Sequence, residues 1–250
     1  MNLIKSLIIL TFLTGCTLSP YTKIKYPVDS FVKVNVRTTV EICREDKTNT
    51  KSVCLSHEFY SMGSGVVVHD HGNQTYILTA GHVCVHEIDE PLKKKVSSIK
   101  TDFIVSNNKE LSFDATVHKI HKDFVTNASP IDLCLLKTNK LTEMPSIKLA
   151  LRGPEVGDPV YNIAAPGGFF FPPALPLLTG VYSGNISEHH GLVTIPAIGG
   201  SSGSPIFNRR GELIGLLFAA NLQLHHLSVS INYKFVREFM TRNLQGYPLF

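Results

Sequence analysis

Apolar residues in this chain come in short runs of four to eight positions, separated by clusters of Gly, Pro, Asn, Asp and Ser. Phe31 to Val36 alternates apolar with polar, Gly65 to Val68 is continuous, and Tyr76 to Thr79 follows a turn at Asp70 to Asn73. Runs of this length and period predict β-strands. Further strands are expected at Phe113 to Ile120, Leu133 to Leu136, Val160 to Ala164, Leu192 to Ile195, Leu213 to Phe218 and Leu227 to Asn232. A helical period occurs late, over Tyr233 to Asn243, where Phe235, Val236, Phe239 and Met240 fall on one face. Many short strands followed by one helix predict an all-β barrel or sandwich. The segment Leu141 to Gly157, with Pro145, Gly153 and Pro154, is the expected linker between two halves at about 30–140 and 158–245.

The N-terminus breaks this pattern. Lys5 precedes the apolar run Leu7 to Leu13, which suits a secretory signal and is too short to span a bilayer. The run closes on Leu13-Thr14-Gly15-Cys16, which resembles the lipobox of bacterial lipoproteins. That resemblance implies a signal peptide at 1–15, lipidation of Cys16, and an exported protein anchored to a membrane of the bacterial cell envelope. Residues 16–29, with Pro20 and Pro27, are the expected tether.

Four further cysteines in a chain bound for an oxidising compartment suggest two disulfides. Cys43 and Cys54 flank the polar stretch Arg44 to Lys51, suited to a hairpin loop clamped by a bridge. Cys84 and Cys134 would form the second, the alternative being two buried free thiols. With scattered histidines and no close Cys-x-x-Cys pair, no metal or other cofactor is expected. The 24 basic and 20 acidic residues give a formal charge of +4, too mild and too dispersed for a nucleic-acid partner. A hydrophobic content of 43% excludes a disordered chain.

Candidate chemistry centres on Ile198-Gly199-Gly200-Ser201-Ser202-Gly203-Ser204-Pro205. Small residues let a backbone bend sharply, present a hydroxyl and aim N–H groups at a ligand. A serine there is a useful nucleophile only if a base takes its proton and an acid orients that base. His82 follows the strand Tyr76 to Thr79 behind Ala80 and Gly81, and Asp132 lies in the apolar run Ile131 to Leu136, where a carboxylate needs a donor. Asp114 and Asp123 are rival acids among polar neighbours.

Gly63-Ser64-Gly65, Thr79-Ala80-Gly81-His82, Ile131-Asp132-Leu133 and Gly200-Ser201-Ser202-Gly203-Ser204-Pro205 together resemble the chymotrypsin-fold serine peptidases, in the same chain order. The resemblance implies two antiparallel β-barrels, a polypeptide substrate, the catalytic roles of base for His82, acid for Asp132 and nucleophile for Ser202, and an oxyanion hole from the N–H groups of Gly200 and Ser202. It also places Pro196, Leu217, Phe218, Ala219, Ala220 and Ser228 around the primary pocket, which carries no charge and suits a small or apolar side chain. His225 and His226 keep an acidic preference open.

Ser201 stands where digestive members carry an aspartate, so activation by a freed N-terminus is not expected, and Ser204 replaces a second glycine. Ser201 and the run Asn162 to Gly167 are more similar to bacterial envelope peptidases of the high-temperature-requirement type. The apolar segment Gly168 to Leu178 would cover the cleft, hold extended substrate, touch the membrane or pack on the second barrel. The expected activity is therefore peptide-bond hydrolysis, the alternative being an inactive peptide-binding relative.

Overall fold

A computed structural model describes residues 23–45, 52–85, 93–125, 131–139, 141, 144–221, 223–224 and 226–248. The expected signal peptide, Cys16 and the first part of the expected tether lie outside the described residues, as does His225.

Six antiparallel strands, β1 (Phe31–Glu45), β2 (Ser52–His71), β3 (Gln74–Thr79), β4 (Ser98–Asn107), β5 (Ser112–Ile120) and β6 (Cys134–Asn139), close into a first barrel in the order β1-β2-β3-β6-β5-β4. A second closed barrel follows the order β10-β11-β12-β9-β8-β7. Its strands are β7 (Pro159–Ile163), β8 (Leu177–Asn185), β9 (His190–Val193), β10 (Pro205–Phe207), β11 (Leu213–Ala220) and β12 (Ser228–Asn232). Closure leaves neither sheet with an open edge. Helical turns are α1 (Gly81–Cys84) and α2 (Lys122–Val125), and the C-terminal helix is α3 (Tyr233–Asn243).

Beside the nine expected runs and the short β10, in which the apolar Ile206-Phe207 continues from the serine loop as strand, two strands were not foreseen. β4 alternates Thr101, Phe103, Val105 and Asn107 with polar or exposed positions, and only Phe103, Val105 and Asn107 are buried. β8 contains Gly180 and Gly184, which resemble turn signals, and it begins inside the segment expected to be an apolar loop. The first hairpin is also longer than its apolar pattern: β1 and β2 pair from Phe31↔Val66 out to Glu45↔Ser52. In that register Cys43 lies directly opposite Cys54, and the two are bridged.

The barrels are joined by a common core. Phe31, Leu78, Leu133 and Leu135 from the first meet Ile163, Phe207, Leu216 and Ile231 from the second. Val236, Phe239 and Met240, the apolar stripe of α3, close the same cluster, and the partly buried Phe235 packs against it as well as against the His189 ring. Apolar burial at about 25 cal/mol per Å² is what holds two such barrels in one orientation.

The connecting segment is laced to both barrels rather than loose. The Ile147 N–H donates to the Val67 carbonyl at 2.8 Å, and residues 148–150 run beside Leu213, with Leu213 N–H to Lys148 O at 2.7 Å and Ala150 N–H to Leu213 O at 3.0 Å. The tether expectation is corrected for its last residues: Tyr26 packs edge-on against Tyr161 and Phe207, and the Lys25 N–H donates to Arg209 O at 3.2 Å.

Cys84 and Cys134 also form a disulfide, which removes the free-thiol alternative. It closes a sequence separation of 50 residues. By loop-closure entropy such a bridge stabilises the fold by about 4 kcal/mol. The Cys84→Ala, Cys134→Ala double variant should lose about that much in urea unfolding under non-reducing conditions, and an unchanged midpoint would contradict this estimate.

Candidate active site

The first half of the site grows from the end of β3. Thr79 leaves the barrel, Ala80 is extended, and the single turn α1 carries His82 outward with 43% of its side chain exposed. Asp132 comes from the residues just before β6, which pairs with β3 at Thr79↔Cys134. Its carboxylate is 9% exposed, so both oxygens require donors. Oδ1 accepts the His82 backbone N–H at 2.8 Å, and Oδ2 lies 2.5 Å from His82 Nδ1. With Nδ1 directed at the carboxylate, Nε2 is the ring nitrogen left for another partner. The Cys84–Cys134 bridge ties the two segments two residues beyond each group. Asp114 and Asp123 have no such contact with His82: Asp114 lies on β5 and Asp123 pairs with His121 at 3.7 Å.

The second half is the loop entering β10. Ser201 N–H donates to Ile198 O at 3.0 Å with Gly200 at φ 91°, a type II turn whose third residue must have positive φ. The Gly199 carbonyl accepts from Gly167 N–H at 2.6 Å. A trans peptide puts C=O and N–H on opposite sides, so Gly200 N–H is turned away from the Gly167 turn. Ser204 N–H to Ser201 O, 3.1 Å, sets the next peptide but one in the same way and so aims Ser202 N–H. Neither Gly200 N–H nor Ser202 N–H has an acceptor among the described residues. Two convergent unpaired donors beside a serine suit an oxyanion.

Ser204 is accommodated without strain on the loop: its buried hydroxyl accepts from Asn162 Nδ2 at 2.8 Å. Ser201 is buried and hydrogen-bonded within its own turn.

The halves meet backbone to backbone. Ser64 N–H on β2 donates to Ser202 O at 2.8 Å, and Gly203 N–H donates to Leu217 O at 2.7 Å. A Cβ on Gly203 would lie 2.2 Å from Ser64 O and 2.8 Å from Ala80 N, so no side chain fits between the serine loop and the His82 turn. Ser202 Oγ itself is 3.4 Å from the Phe218 carbonyl. The structure thus joins His82 to Asp132 and brings the Ser202 loop against Ser64 and the Thr79–Ala80 segment that leads to His82, but it shows no hydrogen bond between Ser202 and His82.

The trypsin-like peptidase domain family matches residues 63–216, well over half of the chain and including all three of these side chains. The chain belongs to the trypsin-like peptidases. It is a serine protease, a hydrolase whose substrate is polypeptide. The peptidase S46 family also matches residues 188–245. No curated protein matches this trypsin-like peptidase in sequence. Among solved structures, it superposes on a protease from M. tuberculosis in its active form with a TM-score of 0.61 and 14% identity, over 90% of this chain and 85% of that one. A serine endoprotease from Yersinia pestis gives 0.58 and 21% identity over 88% of this chain, which spans 64% of that protein. At these identities the likeness is one of fold.

The expected pocket residues of this peptidase separate into two groups. Pro196, Phe218, Ala219 and Ala220 are partly exposed beside the serine loop. Leu217 is a correction: it is 1% exposed and points into the second barrel's core with Ile195 and Ile206. Ser228 is fully buried and spends its hydroxyl on Ile195 O at 2.5 Å, so it shapes the wall without offering a free donor. His226 is exposed. Of the Gly168 to Leu178 segment, Phe170 packs towards Phe31, whereas Phe169 and Phe171 are 60% and 66% exposed.

Sequence reasoning missed the Gly167 N–H and the part played by Ser64. The two glycines flanking Ser64 were the available signal, because they announce a close backbone approach without naming what approaches. Gly200→Ala should cut peptide hydrolysis by about 10²-fold or more, the cost of one lost oxyanion donor. Its Cβ would fall 2.4 Å from Ala165 O at a φ that disfavours L side chains. Steady-state kcat on a fluorogenic peptide is the check, and a value within threefold of the parent would contradict the turn's role.

Proposed function

We propose that this trypsin-like peptidase is an endopeptidase acting through His82, Asp132 and Ser202, with an acyl-enzyme on Ser202, and that a lipid on Cys16 tethers it to a bacterial envelope membrane. The observation that carries the catalytic part is the pair of contacts from Asp132 to His82, one to the backbone N–H and one to Nδ1, beside a serine loop with two unpaired N–H donors.

In the proposed reaction a rotation of Ser202 Oγ away from Phe218 O brings it to His82 Nε2. The imidazole takes the hydroxyl proton as Oγ attacks the scissile carbonyl, and Asp132 stabilises the resulting imidazolium. The carbonyl oxygen gains negative charge and is received by Gly200 and Ser202 N–H. His82 returns the proton to the leaving amine, the C–N bond breaks, and water repeats the sequence to release the acid. The Phe218 carbonyl, freed by the rotation, is available to a substrate N–H.

The uncharged surroundings at Pro196, Ala219 and Ala220 support a small or apolar residue at the cleaved position. Exposed Met62, Phe169, Phe171 and Ile198 gather near the Gly167–Gly168 turn, where a Cβ on Gly168 would be 2.9 Å from Met62 Sδ and one on Gly167 3.3 Å from Ile198 Cδ1. They support an apolar stretch of substrate beside the scissile bond.

A second reading, a peptide-binding protein without turnover, draws on the Ser202 hydroxyl lying against Phe218 O and unbonded to His82. A fluorophosphonate separates the two, since only an activated serine reacts. The parent should be labelled and should hydrolyse peptides, and Ser202→Ala should do neither while keeping its melting temperature. Absence of labelling in the folded parent would favour the second reading. Cys16→Ser should leave the membrane fraction on cell fractionation, and retention there would count against the anchor.

A further inference from the structure

The serine loop, Ile198 to Pro205, carries no charged side chain that could hold its own peptides, so groups from elsewhere fix them. Ser64 occupies the place where such a group is needed. It lies on β2 between two glycines and is fully buried. Its hydroxyl donates to the Gly200 carbonyl at 2.8 Å and accepts the Ala165 N–H at 3.0 Å. Its backbone N–H donates to Ser202 O at 2.8 Å, and its carbonyl accepts the Thr79 hydroxyl at 2.8 Å. One residue therefore contacts the loop bearing the nucleophile, the strand end that leads to His82, and the turn at Ala165.

The Ala165 turn matters because it continues to Gly167, whose N–H holds the Gly199 carbonyl at 2.6 Å. The two successive peptides of the turn are thus each gripped once. The Gly199–Gly200 peptide is held through its carbonyl by Gly167, and the Gly200–Ser201 peptide through Gly200 O by Ser64 Oγ, which also fastens the strand end from which Gly167 projects. A peptide in a Gly-Gly turn can rotate between type I and type II arrangements with little steric cost, and that rotation reverses the direction of the Gly200 N–H.

We propose that Ser64 is a positioning residue for the oxyanion hole: by holding the adjoining Gly200 carbonyl and the Ala165 N–H that leads to Gly167, its hydroxyl keeps the Gly199–Gly200 peptide from turning, with the Gly200 N–H facing the reacting carbonyl. This rests on the reading of Ser202 and Gly200 given above. Removing the hydroxyl leaves Gly200 O and Ala165 N–H buried without their partner and lets the peptide relax by turning. Binding of the ground-state peptide, which depends on the pocket and on strand-like contacts, should change little. Stabilisation of the tetrahedral species should fall.

The test compares the parent, Ser64→Ala, Ser64→Thr and Ser202→Ala on one fluorogenic peptide, together with the inhibition constant of a peptide aldehyde of the same sequence. The aldehyde places an oxyanion where the transition state has one. Ser64→Ala should lose about 10²-fold in kcat with KM within threefold. Its aldehyde affinity should weaken in proportion to kcat/KM, and Ser64→Thr, which keeps the hydroxyl, should recover most of both. A parent kcat in Ser64→Ala, or a loss of kcat with undiminished aldehyde affinity, would overturn the proposal. Should Ser64→Ala not fold, Ser64→Cys, which keeps the volume but offers a weaker donor, must show an intermediate loss in both quantities; parent values there would overturn it equally. Parent activity absent altogether, or retained in Ser202→Ala, would instead count against the catalytic reading on which this inference rests.

Discussion

Bare main chain touching main chain is the constraint from which the site follows. Between β2 and the loop before β10 there is room for a Ser64 N–H to Ser202 O bond of 2.8 Å, and a Cβ on Gly203 would overlap Ser64 O. Contacts this close fix relative position to within a hydrogen-bond length, which side-chain packing alone does not do. The shared apolar core built from Phe31, Leu78, Phe207 and Leu216 supplies the adhesion, and the glycine-lined seam supplies the registration. Groups from two separately closed barrels are thereby held against one another by direct main-chain contact, in addition to the segment that connects the barrels.

The buried carboxylate works in the same direction. Asp132 has lost most of its water and is compensated by two bonds from one residue, so the ring of His82 and its main chain are oriented together. The disulfide from α1 to the start of β6 restrains the same pair from behind. His82 and Asp132 are set by the first barrel alone. Ser202 and the two N–H donors come from the second, which is why the seam decides how these groups face His82 and Asp132.

Much of this was legible in the sequence where residue type is dictated by local chemistry. An acid inside Ile131 to Leu136 must find a donor, and a histidine behind Thr79-Ala80-Gly81 sits where a strand ends, so both were visible without coordinates. The two-barrel fold came from resemblance, because short strands alone are equally compatible with a sandwich. β4 and β8 were hidden for definite reasons: β4 has polar or exposed residues at most positions, and β8 carries glycines inside a strand. Leu217 was misplaced because strand period does not say which face of β11 lines the cleft, and the bulge between Leu217 and Ala219 changes the phase there. The bonds made by Ser64 were invisible because they join positions 136 and 101 residues apart through backbone atoms, on which sequence has no hold.

The central claim is that these groups converge on one reacting carbon once Ser202 turns from Phe218 O. A crystal structure of the protein carrying a phosphonate on Ser202 tests it most directly. The account predicts a phosphoryl oxygen about 2.7–3.1 Å from both the Gly200 and Ser202 nitrogens, with His82 Nε2 facing Oγ and Asp132 still on Nδ1. A phosphonyl group whose oxygen points to solvent, or an imidazole rotated off Asp132, would contradict it.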